Sequence, residues 1–344
     1  MKRFTCGCGV RVFFDDYWCT ACGADLGYAP ALAEFLSRPP GTGVFTSADG
    51  AAWQACRNRD QHAVCNWLLP ADDARNYCPA CRLNSVIPNL SAPDNLRLWR
   101  RLEHAKRRLV YSLLQFGLPL EAAQGRPPLR FEFLEDQRSN PQVAESLVMT
   151  GHRAGIITIN VLEADDVARH AVREQMSERY RTLLGHFRHE SGHYYEDLLV
   201  PPGAARATYR ELFGDERENY AAALDQHHAA GPPPDWGRSF VSPYASSHPM
   251  EDLAECWSHY LHIVDGLETA RATRFVPEPP SDDWDQEVSL WISVSVRLNE
   301  LARGLGVDDP YPFVLNGPVR AKLAFIHRRL AATRPAAAAA AAAR

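Results

Sequence analysis

Residues 186–199 read HFRHESGHYYEDLL, with His189 and His193 four apart and Glu190 beside the first. On an α-helix, positions i and i+4 differ by about 40° in direction and about 6 Å along the axis, so both imidazoles leave one face. Two such rings can share a zinc ion. Glu190 then flanks the ion without binding it, placed to take a proton from a water that the metal has acidified. This is the H-E-x-x-H arrangement. A solvated helix rich in His and Glu carries the same five letters, so the motif needs support from the rest of the chain.

A catalytic zinc takes a third protein ligand and leaves the fourth position for water. The segment MEDLAE, opening a helical pattern at Met250, offers Glu251 and Glu255, again at i, i+4. One carboxylate can bind the ion while the other fixes a ligand histidine by accepting its free N–H. His248 and His259 are rival donors, and spacing alone does not choose among them. Small Ala254, between the two glutamates, would let two helices approach closely.

Eight of the nine cysteines fall before residue 82. Cys6, Cys8, Cys19 and Cys22 form C-x-C-G…C-x2-C-G, two tight turns that can each deliver two thiolates to one tetrahedral zinc. Glycine after each pair suits a turn whose φ becomes positive while amides point at sulfur. A segment this short is expected to draw its folding energy from the metal, not from a core of its own. Cys56, Cys65, Cys78 and Cys81 could make a second such site, with C-P-A-C as its better knuckle; structural cysteines are the alternative. Four sulfurs close a site to substrate, so both clusters read as structural. Up to three zinc ions per chain are expected, one catalytic and one or two structural. Cys256 reads as a small buried hydrophobe.

Composition sets the frame. The chain has 344 residues, 46% apolar and 23% charged, with a net charge of −5. These are values of a soluble globular protein, with no global attraction to polyanions. No stretch reaches the roughly 18 apolar residues of a membrane span. The start, MKRFTCGCG, has no apolar run after its basic residues, so a cytoplasmic address and reduced cysteines are expected.

The elements that must position these groups follow from periodicity. Trp99, Leu102, Leu109, Val110, Leu113 and Leu114 recur at three and four, predicting a helix from about 95 to 116 with a solvated basic face. LRFEFL (129–134), SLVMT (146–150) and GIITIN (155–160) read as strands, the last two joined through GHRAG. Asp165 and Asp166 can cap a helix running to about Met176. Helices are then expected over 181–199, over PMEDLAECWSHYLHIVDGLETA (249–270), and over 284–303 and 319–332. The closing PAAAAAAAAR is low-complexity, and 335–344 reads as a disordered tail. His227 and His228 are expected in a solvated loop, and His186 packed beside the site. His152, at the hairpin, could reach the cleft. The division expected is a zinc-ribbon region over 1–90 and a second domain over 91–334.

H-E-S-G-H with a downstream E-x-x-A-E resembles the gluzincin metallopeptidases, and in style the toxin proteases of the lethal-factor type. That resemblance implies Glu251 as the third ligand and Glu255 as support. It also implies Tyr244, seven residues before Glu251, as a group near the scissile carbonyl. A phenol there could steady an oxyanion; without the resemblance Tyr244 is equally a packing aromatic. Over nearly the whole chain, the cysteine ribbon, MTGHRAGIITIN, EADD, RTLLGHFRHESGHYY, FGDERENYAAAL and SSHPMEDLAECWSHYLHIVDGLETA resemble the bacterial zinc-ribbon family of zinc-binding metallopeptidases.

The fold class implied is α+β: a zincin-like metallopeptidase domain with helices packed on a short mixed sheet, preceded by a small zinc-ribbon region. The active-site helix is expected under the sheet, with the Glu251 helix packed across it. GIITIN resembles the edge strand of such folds, so Ile157 and Ile159 are expected along a peptide substrate held by β-addition. The function expected is peptide-bond hydrolysis, with Glu190 as general base. The alternative is a zinc-ribbon module binding protein or nucleic acid, with a non-catalytic peptidase-like domain. RLWRRLEHAKRR (97–108) concentrates positive charge, but such a run usually solvates a helix face, so nucleic acid is not the partner expected. A fold that keeps its metal without turnover is a third possibility.

Overall fold

Short strands carry the first cysteine turns: β1 (Phe4–Thr5) pairs antiparallel with β2 (Arg11–Val12). A computed structural model of the chain describes residues 2–122, 125–175, 180–277 and 279–333. Its contacts divide the chain into two units, the described residues up to 115 with those of 119–175 forming one, and 116–118 with the described residues beyond 179 the other. The alanine-rich segment 335–344 and the helix end at Met176 lie outside the described residues.

In the first unit β3 (Asp25–Ala29) and β4 (Glu34–Arg38) form an antiparallel pair. β5 (Phe45–Thr46), β6 (Ala52–Ala55) and β7 (Leu68–Pro70) form a three-stranded antiparallel sheet, with α1 (Arg57–His62) between β6 and β7. The ribbon region has a core after all. Phe4, Phe14, Tyr28, Phe35 and Trp67 are buried and meet edge-on or tilted, with centroids 5.1–6.2 Å apart. Residues 1–22 contribute only two of these rings, so the segment shares a core that it could not build alone.

β8 (Asn84–Val86) leads to α2 (Asn95–Gln115), the helix predicted from its apolar spacing. Leu98, Trp99, Leu102, Leu109, Val110 and Leu113 are buried. The expectation of a solvated basic face fails in its middle: Lys106 and Arg107 are buried too. Lys106 donates to Glu103 at 2.8 Å and also to Asn84, and Arg107 donates to the Val64 carbonyl. Buried cations persist only with such partners. Arg97, Arg101 and Arg108 pair with Asp165, Asp166 and Asp15. Much of the basic run is therefore satisfied within the unit.

β9 (Arg130–Leu134), β10 (Gly151–Arg153) and β11 (Ile156–Asn160) join β8 in a mixed sheet of order β10-β11-β9-β8. β9 runs parallel to β8 and β11, and β10 is antiparallel to β11. Residues 146–150 are not a strand, contrary to expectation. Ala154 and Gly155, both at positive φ (50° and 87°), make a two-residue turn that pairs Arg153 with Ile156. The hairpin therefore begins at Gly151. Side chains hold the preceding segment instead: Asp136 accepts from the Val148 amide, and Asn160 donates to the Val148 carbonyl. β11 is also not an edge. Its backbone is paired on both sides, and Ile157 and Ile159 are fully buried, so these two residues are corrected from substrate contacts to core. Asp165 caps α3 (Asp166–Gln175), accepting from Val167 and Ala168 amides.

The second unit is helical: α4 (Leu183–Leu199), α5 (Ala204–Phe213), α6 (Tyr220–Ala230), α7 (Pro249–Ala272), α8 (Trp284–Gly304) and α9 (Gly317–Thr333). α5 and α6 were not expected, because glycine and proline punctuate the sequence around them. His227 and His228 therefore lie on the last turns of α6, not in a loop. Gly266 of α7 leaves space that the Trp291 ring of α8 fills. Asp252 of α7 pairs at 2.6 Å with Lys322 of α9, both buried. No helix among the described residues is long and apolar enough to cross a membrane.

Candidate metal centre

Thr182 starts α4 by accepting from the Gly185 amide at 3.0 Å. His189 and His193 then share one face, their Nε2 atoms 3.2 Å apart. α7 supplies the third donor. His248 caps it, accepting at Nδ1 from the Met250 amide at 3.2 Å, and Pro249 follows at the first helical position. That places Glu251 in the first turn, where the helix dipole favours a carboxylate.

Glu251 is 1% exposed, with Oε2 3.0 Å from His189 Nε2 and Oε1 3.4 Å from His193 Nε2. Burial opposes its charge, but hydrogen bonds with His189 and His193 outweigh burial and hold the carboxyl far below its usual range. The other face of His189 is fixed by Glu255, whose Oε1 accepts from Nδ1 at 2.8 Å. With the proton on Nδ1, Nε2 presents a lone pair. His189 Nε2 stands 3.0 Å from Glu251 Oε2 and 3.2 Å from His193 Nε2, so a cation taking the place of the proton shared there would be held by all three groups. Bonds of about 2.0–2.1 Å around tetrahedral zinc separate neighbouring ligand atoms by about 3.3 Å, so the donor set fits that ion.

Helix proximity is built into the inner residues of the motif. A Cβ on Gly192 would stand 2.8 Å from Ala254 Cα, so only glycine permits this approach. Ser191 donates to the Arg188 carbonyl and accepts from Trp257 Nε1 at 2.9 Å. The expected role of Ala254 as a small contact is matched by its complete burial.

Glu190 is largely buried, and its carboxylate has no hydrogen-bond partner among the described residues. Its charge is among those that raise the Tyr220 and Tyr244 phenols. Tyr244 opens a short 3-10 turn (Tyr244–Ser246), with its ring centroid 5.9 Å from that of His189. The Tyr244 hydroxyl also has no hydrogen-bond partner among the described residues. Burial, reinforced by Glu251 and Tyr220, pushes this phenol well above its ordinary value, so it carries its proton. Ser242 ties the turn to the centre: it accepts from the Ala245 amide at 3.1 Å and donates to Glu255 Oε2 at 2.5 Å. Burial opposes the Glu255 charge too, but the hydrogen bond from His189 prevails and holds the carboxyl down to about 2.

The rival donors are occupied elsewhere. His248 Nε2 faces the Glu218 carbonyl at 3.3 Å, which with the cap leaves it no free lone pair. His259 bonds Tyr311 through Nδ1 at 2.8 Å. His186 is half-buried on α4, and Cys256 is buried with its thiol toward Asp252. His152 Nε2 accepts from the Gly155 amide within the hairpin. Two residues at the centre escaped sequence reasoning, Ser242 and Tyr220. The Tyr220 hydroxyl donates to Glu251 Oε1 at 2.6 Å. Neither stands at a spacing that marks it; only the Asn219 cap at the start of α6 could have pointed toward Tyr220.

Both cysteine quartets come together in the first unit. Within each, the four sulfurs lie within 4.8 Å of one another. Cys6–Cys22 and Cys8–Cys19 are 3.7 Å apart, and Cys65–Cys78 3.6 Å. Zinc–sulfur bonds of about 2.3 Å give a tetrahedral edge of about 3.8 Å, so both quartets fit zinc. Gly9 and Gly23, each following a pair, take φ of 86° and 73° as their turns require. Amides of Cys22 and Ala21 point at the Cys19 sulfur and draw its thiol down to about 7.

Residues 95–329 match the family model described as "Putative zinc-binding metallo-peptidase", and residues 3–92 match a zinc-ribbon domain. Proteins of Mycobacterium tuberculosis and Mycobacterium bovis, both described as uncharacterised, are 39% identical over 339 residues, covering 95% of this chain and 94% of theirs. No solved structure gives a significant match.

Proposed function

This chain belongs to the zinc-binding metallo-peptidase family, and from that premise we propose that it hydrolyses peptide bonds at a gluzincin-type centre held by His189, His193 and Glu251. The observation that carries the reading is the convergence of these three donors beside a Glu190 carboxylate with no hydrogen-bond partner among the described residues. Zinc, when bound there, supplies Lewis acidity, polarising the scissile carbonyl and acidifying a water molecule. Glu190 takes the proton from that water and delivers it to the leaving amine. Tyr244 donates its hydroxyl to the oxygen that gains charge as the carbonyl is attacked. Glu255 keeps the His189 ring in the tautomer that offers Nε2, and through Ser242 it holds the turn carrying Tyr244.

The two cysteine quartets each hold a structural zinc, giving three ions per chain. Their eight reduced thiols suit a reducing compartment such as the cytoplasm. The substrate is a peptide or protein. Cleavage profiling on a mixed peptide library tests the proposal: cuts that cease with a chelator and return with zinc are expected. A fully metal-loaded chain that cuts no peptide would remove the peptidase reading.

A further inference from the structure

Helix α6 contains no buried residue, yet its first side chain reaches the centre. Tyr220 is 41% exposed, and its ring lies edge-on to His248, with centroids 5.1 Å apart. His248 is the cap of the helix that carries Glu251. Asn219 fixes the start of α6 by accepting from the Ala222 amide at 3.1 Å. The phenol is thus held between two capped helix starts, 2.6 Å from Glu251 Oε1.

A carboxylate with both oxygens free can clasp an ion through both. A hydrogen bond on one oxygen takes up a lone pair there and draws charge from it, leaving the other as the better ligand. We propose that Tyr220 is a positioning residue: its hydroxyl occupies Oε1 so that Glu251 offers the metal Oε2 alone, which keeps a coordination position open. This rests on the reading in which His189, His193 and Glu251 hold zinc. Tyr220 and Tyr244 thereby divide the work, one spending its proton on a ligand and the other keeping it for substrate.

The test uses the full chain with both cysteine quartets kept in zinc and the histidine–glutamate centre refilled with cobalt, whose visible absorption reports coordination number. Cobalt is titrated against a competing chelator into wild type, Tyr220→Phe and Glu251→Gln. Tyr220→Phe is expected to bind about ten- to a hundredfold more weakly, with a spectrum moved toward higher coordination. Its circular dichroism without cobalt should match wild type, because the exposed ring and its packing on His248 keep the helix starts in place. Wild-type affinity, or weaker binding with an unaltered spectrum, would overturn the positioning role while leaving the ligand set standing. Undiminished affinity in Glu251→Gln would overturn the ligand assignment itself, and the role of Tyr220 with it.

Discussion

Gly192 of α4 and Ala254 of α7 meet at backbone distance: a Cβ on the glycine would stand 2.8 Å from Ala254 Cα and 3.0 Å from Trp257. The meeting point lies beside all three candidate ligands, one residue before His193 and three after Glu251. Close approach is what allows one carboxylate to face two imidazoles.

Gly192→Ala should therefore disturb metal binding as well as packing. Its new methyl meets main chain, which cannot swing aside, so α4 and α7 must separate. Overpacking of this kind costs about 1–3 kcal/mol. Thermal melts should show that loss, and elemental analysis should show zinc depleted by up to one ion per chain. Unchanged melting and metal content would mean that the contact is not tight.

Glu255 serves two neighbours with one carboxylate, His189 through Oε1 and Ser242 through Oε2. Glu255→Ala should weaken metal retention by about ten- to a hundredfold and also loosen the Tyr244 turn. Ser242→Ala keeps the histidine contact, so it should lower kcat with metal affinity nearly unchanged. Equal metal loss in both variants would show that the two contacts are not separable.

Removing metal from the cysteine quartets should destabilise the first unit. The shared aromatic core around Tyr28 and Trp67 remains, so the expected result is a lower melting temperature, not an unfolded chain. Cys81→Ser should reproduce part of this effect, with one zinc ion fewer by elemental analysis. A chain melting at the same temperature with and without chelator would contradict a structural role.

His259 predicts an acid-side loss of stability. Burial, only partly opposed by Glu255, pushes its imidazole from 6.5 down to about 4. The unfolded chain takes up a proton near pH 6.5 that the folded one refuses until about 4. Stability from this group is therefore complete above 6.5 and declines as pH falls toward 4. Between pH 7 and pH 5 the loss is about 2 kcal/mol. Urea melts at those two pH values should show a correspondingly smaller change in His259→Gln. Identical changes in both chains would contradict the assignment.

The legible parts of this molecule were those written in short, regular spacing. His189 and His193, the two glutamates of MEDLAE and the glycine-flanked cysteine pairs each encode a local turn of backbone, and each lies where that turn requires. The 95–115 helix followed from its apolar repeat. Lys106 and Arg107 did not, because their partners Glu103, Asn84 and Val64 are a tertiary matter that a charge pattern cannot reveal. The 146–150 strand failed since the Ala154–Gly155 turn, not β-propensity, sets the hairpin register. Ile157 and Ile159 illustrate the same limit: alternation identifies a strand but not whether it is central or at an edge. Tyr220 lay hidden because its contact with Glu251 spans 31 positions and follows no motif.

The central claim is that Glu190 moves the proton at a centre held by His189, His193 and Glu251. The most direct measurement is kcat/KM on a peptide cleaved by wild type, compared with Glu190→Gln at equal zinc content. Loss of about 10²–10⁴-fold with the metal retained is the predicted result. Turnover preserved in fully zinc-loaded Glu190→Gln would contradict the account.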